Sequence, residues 1–188
     1  MEQNSADAVA KAAAFANGLR KNVTVAGRRW AAWPGGARAL AAVVACIDAI
    51  LQRLLESRNA PDGAATAAAC IAELRVILEW TTYQSASLAT ARAVVFARKT
   101  RTLAERLGLL EESATSMTTL MDSEEALIDN VRTKNGYMLE IAERHAHLGL
   151  PRPIVDVADL SPKVERRAGK LDFIQQLIKS TKVRPRKK

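Results

Sequence analysis

Aromatic side chains are scarce in this sequence, at 4% of residues, and runs of β-branched residues are short and few. Sheets draw their stability from such side chains paired across strands, so the scarcity argues against a β fold. Two cysteines, Cys46 and Cys70, stand in no CxxC arrangement. That excludes a disulfide-dense scaffold and a thiolate zinc cluster. Both fall within apolar helical patterns, where a free cysteine behaves as a small hydrophobe, and a reducing compartment follows.

Long apolar runs are missing as well. The most apolar window, residues 39–55, contains Asp48, Gln52 and Arg53, and falls short of the ~20 apolar residues that a membrane span needs. The opening MEQNSA lacks the basic start of a secretory signal. The expectation is a soluble intracellular protein, cytoplasmic, nuclear or held within a nucleoprotein particle.

No GxSxG elbow, P-loop, GxGxxG or HExxH occurs, and neither cysteine sits in a nucleophile signature. Carboxylate pairs such as Glu111-Glu112 and Glu124-Glu125 are expected at exposed helix starts, where they complement the helix dipole. Around Glu140, Glu143, His145 and His147 a metal is the question to ask. Histidines at i, i+2 point to nearly opposite sides of a helix, and the i, i+4 pair Glu143/His147 has no third ligand. The sequence therefore predicts no metal, no cofactor and a non-enzymatic protein.

What is present is alanine. Hydrophobic residues make up 48% of the chain and many of them are Ala, which loses no side-chain entropy in a helix and lets helices approach closely. A chain of 188 residues supports one domain that buries roughly 70% of its unfolded surface. The fold class expected is all-α, a bundle of five or six mostly antiparallel helices with a flexible basic C-terminal arm.

Periodicity and breakers place the elements. A helix is expected over residues 5–19, then a loop over 22–36 ending in Trp33-Pro34-Gly35-Gly36. A helical body follows over 37–148, opening with a strong apolar stripe from Leu40 to Leu55. Residues 59–63 form a turn, so the next helix returns as a hairpin. From Ala64 to about Leu107 neither Pro nor Gly intervenes, with a break expected near Thr81-Thr82-Tyr83. A shorter helix over 109–121 and another from Asp122 or Ser123 to Leu148 complete the body, with Gly136 weakening the middle. A connector over 149–161, a last helix over 162–178 and a basic tail over 179–188 close the chain, the tail too polar to pack when free.

Charge is strongly segregated. Residues 163–188 hold ten bases against Glu165 and Asp172, which accounts for the whole net charge of +8. Upstream, residues 1–101 are cationic and residues 102–162 are anionic in equal measure. Opposite blocks steer partners and favour self-association. The arm is thus built to meet an acidic surface or an external polyanion.

The candidate nucleic-acid-binding residues form three groups. In the arm and last helix these are Lys163, Arg166, Arg167, Lys170, Lys179, Lys182, Arg184, Arg186, Lys187 and Lys188. The six bases from Lys179 onward can neutralise about six phosphates, giving a log–log salt slope near about −5 on duplex DNA. The second group is Arg28 and Arg29 beside Trp30 and Trp33, where rings and guanidiniums suit stacking and phosphate contact. The same tryptophans also suit a bilayer interface or a structural anchor onto the bundle. The third is Arg92, Lys99 and Arg106, seven residues apart along one helical stripe, with Arg98 and Arg101 beside it and Arg101 paired to Glu105.

Together these features predict a helical binding or assembly protein that contacts nucleic acid without sequence specificity, as a structural nucleoprotein or packaging subunit would. Two other readings stay open. One is a protein adaptor or self-assembling scaffold whose arm binds the acidic 102–162 region of another copy. The other is a peripheral membrane protein on anionic lipid.

Overall fold

The structure is a computed structural model that describes the backbone of residues 2–106 and 114–160 and the side chains of residues 5–103 and 122–160. Among the described residues it is helical, without a strand: α1 (Glu2–Trp30), α2 (Gly36–Glu56), α3 (Gly63–Arg106), α4 (Ala114–Arg144) and α5 (Val157–Leu160), with 3-10 turns at Ser57–Asn59 and Ala146–Leu148. The last helix, the basic tail and all ten of their candidate bases lie outside the described residues.

Two units divide the chain, residues 1–155 and 156–188. In the second, α5 is a single turn in which the Asp156 carboxylate accepts the Ala158 N–H at 2.9 Å. The first unit holds everything that follows.

Steps of three and four residues between buried positions build it. The buried positions are Val9, Ala12, Ala16, Leu19, Val23, Gly27 and Trp30 on α1. On α2 they are Gly36, Ala39, Val43, Ile47, Ile50 and Leu54. Helices with this repeat pack along a continuous seam, in the manner of a coiled coil. Each fully buried Ile or Leu in it stabilises the fold by about 1.5–3 kcal/mol relative to an exposed one. α2 runs back along α1, and α3 returns along both, so Arg20 of α1 reaches Asp48 of α2 while Arg53 of α2 reaches Glu73 of α3. α4 lies antiparallel on the later part of α3, as the pairs Ser87–Asn135, Thr90–Asn130 and Arg98–Glu124 show.

Three boundaries differ from the sequence expectation. α1 does not stop near Leu19 with a loop over 22–36, but continues to Trp30. Its apolar stripe runs on through Val23, and Gly27 sits where Leu40 of α2 presses closest, since a Cβ there would come within 2.3 Å of the Leu40 side chain. Nor is there a break at Thr81–Tyr83, because α3 is one helix of 44 residues, about 66 Å long. The Thr81 and Thr82 hydroxyls both donate to the Leu78 carbonyl at 2.8 Å, so they are satisfied inside the helix rather than ending it. Finally, α4 passes through Asp122, Ser123 and Gly136 without interruption.

The described end of this unit is fastened by side-chain amides. Asn135 Nδ2 donates to the Val155 carbonyl at 2.7 Å and its Oδ1 accepts the Ser87 hydroxyl at 2.9 Å. Gln84 Oε1 accepts the Ile154 N–H at 3.0 Å. Gln84 and Asn135 are buried, and they give the irregular backbone of 149–155 partners that a purely apolar groove would lack.

Candidate nucleic-acid interface

Trp33 is placed by a corner that only this sequence chemistry allows. α1 ends at Trp30, and the Trp33 N–H donates to the Trp30 carbonyl at 2.9 Å. Pro34 follows and cannot extend a helix. Gly35 then takes φ +77°, a left-handed conformation that favours glycine. Gly36 comes so close to the Trp30 carbonyl oxygen that a Cβ would lie 1.8 Å from it. Its N–H donates to the Trp33 carbonyl at 3.0 Å, and α2 begins.

The two tryptophans part company here. Trp30 is 1% exposed and meets Trp80 edge to face, with centroids 6.1 Å apart at 74°. It is a core anchor, so the surface role considered for it does not hold. Trp33 is half-buried and stands between two adjoining recesses. One, of about 260 Å³, is lined by Arg29, Trp30, Trp33, Leu88 and Arg92 among others. The second, of about 490 Å³, is lined by Ala32, Trp33, Arg92, Val95, Phe96 and Lys99. Trp33 and Arg92 belong to both.

The fold thus joins two groups that are far apart in sequence. Arg29 arrives from the last turn of α1, and Arg92 and Lys99 from α3, on one side of the molecule. Among the described residues none of the three is paired with a carboxylate, and no acidic side chain lines either recess. Arg28 is exposed but lines neither recess. The side chain of Arg106 lies outside the described ones, so the stripe is described from Arg92 to Lys99, about 10 Å along the helix axis.

Arg98 and Arg101 turn the other way. They were expected beside the stripe, with Arg101 held by Glu105, whose side chain lies outside the described ones. Instead both are buried and share Glu124 of α4: Arg98 Nε to Glu124 Oε1 at 2.5 Å, and Arg101 Nη1 to Glu124 Oε2 at 2.9 Å. Glu124 is itself 3% exposed, contrary to the expected solvent-facing helix start. The reason is register, since Glu124 occupies the inward position that Ile128 and Val131 continue along α4. Buried charges persist only when paired and hydrogen-bonded.

Sequence reasoning missed Phe96. It is 72% exposed, one turn after Arg92 and just before Lys99. The signal was available, because Arg92, Phe96, Lys99 and Leu103 recur at i, i+4, i+7 and i+11 on a stripe that the buried residues of α3 leave outside.

The other chemistry-bearing residues are accounted for structurally. Cys46 Sγ donates to the Leu148 carbonyl at 2.8 Å, and burial pushes the thiols of both Cys46 and Cys70 above their ordinary range. A raised thiol carries little thiolate, which is the opposite of an activated nucleophile. His147 lies 3.8 Å from Glu73, which Arg53 already holds. Among the described residues no three His, Cys, Asp or Glu side chains gather as a metal site, and no helix is long and apolar enough to cross a membrane. No family model, no curated protein and no solved structure matches the chain.

Proposed function

We propose that this protein binds nucleic acid through the phosphate backbone, without base-specific readout and without catalysis, as a structural or packaging component. The observation that carries this reading is that Arg29, Arg92 and Lys99 line two recesses that share Trp33 and Arg92, with no carboxylate lining either among the described residues. Unneutralised guanidinium and ammonium groups on a concave, partly aromatic surface concentrate anions there. The ten bases of residues 163–188 extend the same chemistry along the sequence. A phosphate polymer is long enough to meet both sets at once.

The test is binding of the full chain to a fluorescent oligonucleotide over a range of salt concentration. Replacing Arg29, Arg92 and Lys99 with Gln should lower the log–log salt slope by up to about 3, at roughly 0.9 per lost phosphate contact. Neutralising Lys179, Lys182, Arg184, Arg186, Lys187 and Lys188 should lower it further. An unchanged slope in both variants removes the phosphate-binding reading. A fall in oligomer size by light scattering, with no change in binding, favours the self-assembling scaffold instead.

A further inference from the structure

We infer that the recess between Trp33 and Phe96 is a stacking site for an unpaired nucleobase, with Arg92 and Lys99 holding the phosphates beside it; this rests on the phosphate-binding reading above.

The argument begins with Phe96. A phenylalanine left 72% exposed gives up most of the hydrophobic stabilisation that burial would bring. Its side chain lines the same recess as Trp33, together with the apolar Ala32 and Val95 and the cations Arg92 and Lys99. Two aromatic side chains and two small apolar ones lining one recess, with a cation on either side of Phe96 in the sequence, offer both things that a single strand presents. The rings match the π-face that every base carries, and the cations match its charged linkage. The volume of about 490 Å³ falls in the range of small-ligand clefts, roughly 300–1,000 Å³.

Competing occupants fit less well. A duplex keeps its bases stacked on one another and shows the protein mainly sugar and phosphate, for which Phe96 and Trp33 have no use. A lipid surface is anchored by exposed rings at headgroup level, whereas Trp30, the second tryptophan of this segment, is sealed in the core. An acidic peptide satisfies the cations but leaves the two rings without a planar partner.

The experiment compares three probes on the full chain: a single-stranded oligothymidylate of about 12 nucleotides, a deoxyribose-phosphate chain of equal length without bases, and a duplex of that length. The base-free chain should bind roughly tenfold to a hundredfold more weakly than the oligothymidylate, with a similar salt slope. F96A should erase most of that difference by weakening oligothymidylate alone. Since Phe96 is exposed, this variant should fold normally. W33L supplies a second reading. Trp30 and Trp80 are 1% and 0% exposed, so quenching of tryptophan emission by oligothymidylate should vanish in W33L.

Equal affinity for the two single chains, with a normal salt slope, overturns the stacking site and leaves phosphate binding in place. Tighter binding of the duplex, or an F96A variant that discriminates as the parent does, also overturns it. Failure of all three probes to bind at low salt overturns the stacking site and the phosphate reading together.

Discussion

Arg92 and Lys99 share a few turns of α3 with Arg98 and Arg101, yet the two pairs live in different dielectric worlds. The first pair borders an open recess and has no carboxylate among the described residues; the second is buried against Glu124 of α4. All four are cations of one helix, and their fates differ because a step of one residue turns a side chain through about 100°. Lys99 faces out, and its neighbour Arg98 faces in. What separates an exposed charge from a buried structural charge here is register against α4, and the residue type carries no such information.

The contrast can be broken most forcefully at Glu124. Glu124→Ala takes the shared carboxylate from two buried guanidiniums, and should cost about 3–5 kcal/mol in urea denaturation, as loss of one partner from a buried ion cluster does. A loss under about 1 kcal/mol would mean that the arginines are solvated after all. Next in size is Asn135→Ala, which strips the Val155 carbonyl and the Ser87 hydroxyl of their buried partner. Its cost should be about 1–3 kcal/mol, with faster hydrogen exchange at Ile154 and nearby amides as the local signature.

On the open side the expectation reverses. Arg92→Gln and Lys99→Gln should each leave stability within about 0.5 kcal/mol, while each lowers the salt slope of oligonucleotide binding by about 0.9. If either variant melts early, the two faces of α3 are less distinct than described.

The smallest effect comes from the neutral buried groups. Burial raises the Cys46 and Cys70 thiols above the ordinary value of 9.0. A group whose pKa is higher folded than unfolded favours the native state fully below its unfolded value, and that contribution is lost as pH climbs through the folded one. Thermal stability should therefore be insensitive to these thiols at neutral pH and decline above about pH 9. Cys70→Ala should flatten part of that alkaline decline in melting curves taken across the same pH range.

Much of the fold was legible because the dominant signal is local. The stripe from Leu40 to Leu55 announces α2 within about four residues of its observed ends, and the WPGG corner and the 59–63 turn punctuate as their φ/ψ demands require. What misled was treating polar and small residues as stops. Gly27 continues α1 because close approach to Leu40 needs it, and Thr81 and Thr82 continue α3 because their hydroxyls bond back to Leu78. Leu55 illustrates the opposite error, since it was placed on the core stripe and is 62% exposed.

The site was half legible. Arg29, Arg92 and Lys99 could be nominated from charge and spacing, but their convergence depends on α1 and α3 running side by side, a long-range fact that periodicity does not encode. The inward turn of Arg98 and Arg101 was hidden for the same reason, because their partner lies more than twenty residues away on another helix.

The corner at Gly36 has a consequence for recognition. With no room for even one methyl group above the Trp30 carbonyl, α1 and α2 meet there like two beams riveted at a joint, and Trp33 is the post fixed to it. In the proposed role an arriving strand would meet a shape that already exists, so the disorder lost in forming that half of the surface would have been given up during folding and not at encounter.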